Sequence, residues 1–230
     1  MAPELRVWAG GLAAGPRCGF WRRGLAAALG LKGLAYRSVD IPGLPPRSLL
    51  GALTGGYRRV PVLQIGADLW CDTNIILPAL ERLFPSPTFY PAGLEGITRG
   101  LLFGWDRALW SPTISVLTDF IGEHIPAEFI KDRKEGYLGI DNSREAMAPE
   151  LPLHRQRVTA QYAWLKTALA DGRSFVFDEA PSALDLTCYQ TMFLLRKNCP
   201  PEVDAMLASM ARCRPGMRAS RRLAMARRRP

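Results

Sequence analysis

The hydrophobic positions of this chain change their rhythm once, about a third of the way along. In the first part, short apolar runs of strand length alternate with Gly/Pro breaks. Arg6 to Ala9 reads as a strand, Gly10 to Pro16 as a loop, and the Ala/Leu-rich stretch from about Gly19 to Leu31 as a helix closed by Lys32-Gly33, since glycine just past a helix takes the left-handed conformation at little cost. Tyr36 to Asp40 is a second strand, and a strand-helix-strand unit favours parallel pairing. Beyond the Pro/Gly-rich segment Pro42 to Gly56, the runs Val60 to Ile65 and Leu69-Trp70 flank Gly66-Ala67-Asp68 and predict a hairpin. A helix follows from Asp72, with Ile76, Leu80 and Leu83 on one face. Pro78 within it predicts a kink or a delayed start.

Pro85, Pro87, Pro91 and Gly93 then crowd together as a linker, and strand signals cease. Helices are predicted over Leu94 to Asp119 and Pro152 to Ala170, where Val158, Tyr162, Leu165 and Leu169 make one buried stripe. The charged, Gly-containing segment Ile125 to Glu150 reads as loop or short irregular helix. Ser182, with Asp185 three residues on, opens an apolar helix as a capping box. The pattern divides the chain into an α/β domain over 1–84, a linker over 85–93 and an all-helical domain over 94–230.

At 230 residues and 48% hydrophobic composition, the chain can bury a full core. Its apolar stretches stop well short of the ~18 residues of a membrane span, and the N-terminus lacks a signal-peptide pattern. The net charge of +9 is concentrated in the tail from Arg212 through Arg229, which reads as a solvated, mobile end. The other use of such a tail, docking to nucleic acid or an anionic membrane, finds no aromatic-interleaved basic motif in the body to support it. Cys18, Cys71, Cys188, Cys199 and Cys213 are odd in number, scattered and without a CxxC pair. That argues for a reducing, cytoplasmic setting and against a disulfide framework or a structural zinc site. His124 and His154 lack partners at ligand spacing, so no metal is expected.

The chemistry gathers in one short stretch. Proline inside the apolar run Val60-Pro61-Val62-Leu63 is compatible with an edge strand or a special peptide bond. A cis bond there turns the Val60 backbone outward, free to pair with an extended peptide. Eleven residues after Pro61, Asp72-Thr73 arrive at a helix start, where backbone N–H groups and a hydroxyl suit a carboxylate. Together these grip a small anionic peptide. Taken singly, Pro61 as a strand start and Asp72 as a plain helix cap are the simpler readings.

With Lys32-Gly33-Leu34, Tyr36, Val39-Asp40, Cys71 and Leu80-Glu81 added, the run through Asp72-Thr73 resembles the glutathione-binding domain of the glutathione S-transferase superfamily. Phe175-Val176-Phe177 followed by the Ser182/Asp185 box resembles the capping-box helix of that superfamily's C-terminal domain. The resemblance implies a thioredoxin-like N-terminal domain on an all-α C-terminal domain, and a homodimer. It also implies glutathione held by Val60 next to the cis Pro61 and by Asp72 and Thr73. The function implied is conjugation of glutathione to an apolar electrophile or glutathione-dependent thiol reduction. Trp105, Trp110 and Phe120 are the candidates to line the electrophile pocket, the alternative being that they belong to the helical core.

One feature departs from the pattern. The family's thiol-activating Tyr, Ser or Cys is expected where Gly19 stands, with Cys18 one residue earlier. Cys18 at a helix N-terminus near Arg17, Arg22 and Arg23 would favour thiolate and mixed-disulfide chemistry. The alternatives are a passive thiol, activation by backbone N–H groups, or a non-catalytic binding protein on the same fold. Cys71 reads as a small core residue.

Overall fold

The computed structural model describes residues 4–10, 20–136, 138–177, 180–199 and 204. Cys18, Gly19 and the basic tail lie outside these. In the first part, β1 (Leu5–Gly10), α1 (Phe20–Leu31), β2 (Arg37–Ile41), α2 (Ser48–Thr54), β3 (Val62–Ile65), β4 (Asp68–Cys71) and α3 (Thr73–Leu83) follow in order. They build a four-stranded mixed sheet ordered β2-β1-β3-β4, with β2 parallel to β1 and the remaining pairs antiparallel.

Alternation along β1 explains why both faces of the sheet are covered. Leu5, Val7 and Ala9 point into the main core with Leu25, Leu29, Ile76 and Leu80 of α1 and α3, whereas Trp8 points the other way and packs with Leu50 and Val62. Leu50 belongs to α2, a helix absent from the expectations. Its seven residues sit inside the Pro/Gly-rich stretch and bury one side chain, Leu50, so no apolar stripe announces it. Arg47 secures the turn before it by donating to the Pro42, Gly43 and Arg58 carbonyls. Gly55, at φ 63°, ends it.

The hairpin and α3 form where expected. α3 starts at Thr73 with no delay, and Pro78 sits inside it. Leu83 was expected on the buried face; it is 44% exposed, because the stripe runs through Ile76, Leu77, Ala79 and Leu80 and ends before the helix does. Cys71 is only partly buried, packed at the edge of the Trp8 cluster.

The helical part comprises α4 (Glu95–Ile121), α5 (Ala127–Glu135), α6 (Arg144–Met147), α7 (Leu151–Ala168) and α8 (Ala183–Asn198). α4, α7 and α8 pack around Tyr162, whose ring is fully buried and whose hydroxyl donates to Thr191 Oγ1 at 2.7 Å. The Ser182/Asp185 capping box is formed, and Asp185 additionally accepts from the Val176 N–H at 2.8 Å. Segment 125–150 contains α5 and α6, two short helices, instead of plain loop.

The two parts are joined through a buried ion pair. Lys32 Nζ, its side chain fully buried, reaches Glu81 at 2.5 Å and the Pro87 carbonyl at 2.7 Å, while Glu81 also accepts from the Phe89 N–H. The Phe89 carbonyl in turn accepts from the Ala183 N–H at the head of α8. One buried charge thereby ties α1, α3 and the connecting segment to the helical part.

Candidate functional site

A cleft of about 310 Å³ opens between the sheet part and α4, α5 and the 138–147 segment. Its sheet wall is mostly backbone. The Val60–Pro61 bond is cis, and neither the N–H nor the carbonyl of Val60 has a hydrogen-bond partner among the described residues. Val62 pairs with Cys71, so the chain leaves β4 level with Pro61, one strand spacing of about 4.8 Å away. The turn into α3 therefore lies beside the open edge of Val60.

That turn is strained. Asp72 takes φ 77°, a region costly to a residue with a Cβ, on the order of 1–3 kcal/mol. The strain folds its carboxylate back over its own helix, where Oδ1 accepts from the Asn74 N–H at 2.9 Å and from Asn74 Nδ2 at 3.1 Å. The Asp72 carbonyl receives the Ile75 and Ile76 N–H groups. Thr73, the first residue of α3, keeps its N–H without a partner among the described residues and lines the cleft with its side chain. A helix start with a free N–H and a hydroxyl favours an anion.

The helical wall is made of side chains. Asp106, Trp110, Ile114, Leu117 and Ile121 come from one face of α4, and Ile125, Phe129, Leu138 and Ile140 extend the apolar surface. Burial pushes the Asp106 carboxyl up to about 6; Arg107 opposes the shift and Asp72 adds to it. Burial, and secondarily Asp72, also pushes the Cys71 thiol up, away from thiolate. Among the described residues, no cluster of metal-ligating side chains occurs. No described helix is long and apolar enough to cross a membrane.

Residues 15–88 match the family model for the glutathione S-transferase N-terminal domain. The fold of the whole chain is shared with solved transferases. A GST-like protein from Pseudomonas syringae is 27% identical, with TM-score 0.66 over 97% of this chain and 68% of that one. A glutathione S-transferase of Ceriporiopsis subvermispora, solved in complex with glutathione, is 14% identical with TM-score 0.78 over 96% and 97%. The chain belongs to the glutathione transferase superfamily. A further member, from Phanerochaete chrysosporium, is 15% identical with TM-score 0.74 over 97% and 98%. No curated protein sequence matches the chain.

Within this transferase fold, Val60, Pro61, Asp72 and Thr73 come together in the cleft, and of the three aromatic candidates Trp110 joins them. Trp105 is buried in the helical core, edge-on to Tyr162 at 5.5 Å, and Phe120 packs on the outside of that core beneath Arg155. Cys18, the candidate thiol, lies outside the described residues. The sequence reading missed Asp106 and gave no role to Arg58 or Arg133, which also line the cleft. Asp106 had a usable signal: it precedes Trp110 by four residues and so shares its helix face.

Proposed function

We propose that this transferase-fold protein binds glutathione in the cleft and conjugates its sulfur to an electrophile lying on the helical wall. The observation that carries the reading is the open Val60 backbone beside the free helix start at Thr73. The cysteinyl backbone of glutathione would pair with the Val60 N–H and carbonyl, as a strand adds to a sheet edge. The γ-glutamyl carboxylate would take the Thr73 N–H and hydroxyl. Its ammonium would meet the negative potential of Asp72 and Asp106, which a cation relieves.

The chemistry is then attack of glutathione sulfur on an electrophilic carbon. The C–S bond forms as a leaving group departs, or as the adjacent carbon of an unsaturated acceptor takes up a proton. Holding both reactants in one cleft and favouring thiolate supply the rate gain. Cys18 would support glutathione-dependent thiol reduction instead, by forming and releasing a mixed disulfide with glutathione. The cysteine pattern suits a cytoplasmic protein. Exposed Ile97, Leu101 and Phe103 on α4 offer an apolar face for a homodimer.

Calorimetry with glutathione, run beside turnover assays for conjugation and thiol reduction, tests this reading. Saturable binding that weakens in Thr73→Val supports it, and absence of binding at millimolar glutathione overturns it. Cys18→Ala assigns the chemistry: loss of reduction alone makes Cys18 the reducing thiol, and unchanged rates in both assays remove it from the mechanism. Gly19, where the family's activating side chain is expected, favours a second reading, a glutathione-binding protein without turnover. Binding without turnover across a broad electrophile panel distinguishes it.

A further inference from the structure

On the α5 side of the cleft, two arginines converge on one carboxylate. Arg58 Nη2 reaches Asp132 Oδ1 at 2.5 Å, and Arg133 bonds the other oxygen, Oδ2. Both guanidinium-bearing side chains line the cleft, whereas Asp132 stands behind them. The neighbouring acids Glu135 and Asp141 pair with Lys131 and Lys134. Two cations on one carboxylate leave positive charge in surplus on a wall otherwise formed by Ile121, Ile125, Phe129 and Ile140.

The surplus is poorly solvated. Arg133 has 12% of its side chain exposed, and its guanidinium lies 4.1 Å from the centre of the Phe129 ring. A desolvated cation that shares its counter-ion gains most from a second anion, and the planar guanidinium offers paired donors to a carboxylate. Arg58 is drawn toward the helical wall by its bond to α5, two residues before Val60, so both guanidiniums face the space left for the co-substrate.

We propose that Arg58 and Arg133, held by Asp132, recognise an anionic group on the second substrate, which makes the electrophile an apolar molecule carrying a carboxylate. This rests on the glutathione-transferase reading of the cleft. It also narrows the plain apolar electrophile that the sequence suggested.

The test is a pair of titrations on the full chain with ethacrynic acid and its methyl ester, an acid and a neutral form of the same apolar acceptor, without glutathione. A separate glutathione titration accompanies them. The acid should bind at least tenfold tighter than the ester. Arg133→Gln should remove that difference, Arg133→Lys should keep part of it, and glutathione affinity should stay within twofold of wild type. The better exposed Arg58→Gln should act in the same direction even where Arg133→Gln folds poorly. Equal affinity for acid and ester overturns the proposal. So does a loss of glutathione affinity in Arg133→Gln, which would assign the cluster to the tripeptide's own carboxylate. Failure of wild type to bind glutathione sinks the parent reading alone, since the acid-ester comparison is read in its absence.

Discussion

The sheet wall of the cleft comes from one continuous run, residues 60–73, and presents mainly backbone; the helical wall collects side chains from α4, α5 and the 138–147 segment. A wall made of backbone is fixed by turns, caps and one proline, and it recognises what any peptide shares. Side chains brought from distant segments depend instead on packing between helices, and they recognise what is particular to one ligand. Disturbing the packing should therefore cost the helical wall first, whereas disturbing the turn should cost the sheet wall alone.

The largest effect should come from the joint on which both walls depend. Lys32→Ala leaves Glu81 partly buried without its cation and frees the Pro87 carbonyl. Removing one partner of a buried pair costs about 4 kcal/mol. Urea unfolding should show that loss, and both glutathione and electrophile binding should fall together. Loss of one without the other would show that the walls do not share this support.

Next is Gly136→Ala, which addresses the helical wall by itself. A Cβ there would lie 2.1 Å from the Asp132 carbonyl oxygen and 3.1 Å from Arg58 Nη1. The first is backbone and cannot swing aside. The end of α5 must shift, at about 3 kcal/mol on the scale of overpacked sites. Ethacrynic acid should bind more weakly while glutathione affinity stays within about twofold. An equal fall in both would place α5 under the sheet wall as well.

Asp106 gives the helical wall a pH signature. Its folded pKa of about 6 lies above the ordinary 3.8, so the native state keeps a proton that the unfolded chain has released. Stability contributed by the group is full below about pH 4 and is lost as pH rises through 6, by about 2 kcal/mol for a partly exposed carboxyl. Asp106→Asn should flatten that part of a urea-midpoint profile and stabilise the protein above pH 6. An unchanged profile would remove Asp106 as the source.

The same contrast decides what the sequence could reveal. Val60-Pro61, the Gly66 turn, the Asp72-Thr73 helix start and the Ser182/Asp185 box each leave a mark within a few residues, and each is in the structure where its residues placed it. α2 left none, because a seven-residue helix with one buried leucine has no period to detect. Arg58, Asp132 and Arg133 meet only after the chain has folded, since Arg58 and Asp132 are 74 residues apart. Trp105 and Trp110 look alike in sequence, yet one is buried in the core and the other lines the cleft. Five residues on a helix turn the side chain by more than a right angle, and the position of α8 determines which direction is inside.

Thr73→Val is the smallest change and the sharpest probe of the sheet wall. It keeps the shape of the side chain and the backbone N–H groups of α3, and deletes one hydroxyl. On the glutathione reading, one hydrogen bond to a carboxylate is lost while the helix start still attracts the charge, so the dissociation constant for glutathione should rise about tenfold, or about 1.4 kcal/mol. Stability should hardly move, because Asp72 supplies the cap to Asn74. Thr73→Ser should restore most of the affinity, which a packing defect would not allow. Ethacrynic acid, bound in the absence of glutathione, should not sense the change. An unchanged glutathione constant in Thr73→Val would leave the N–H groups as the whole of the anion site and make the sheet wall backbone alone.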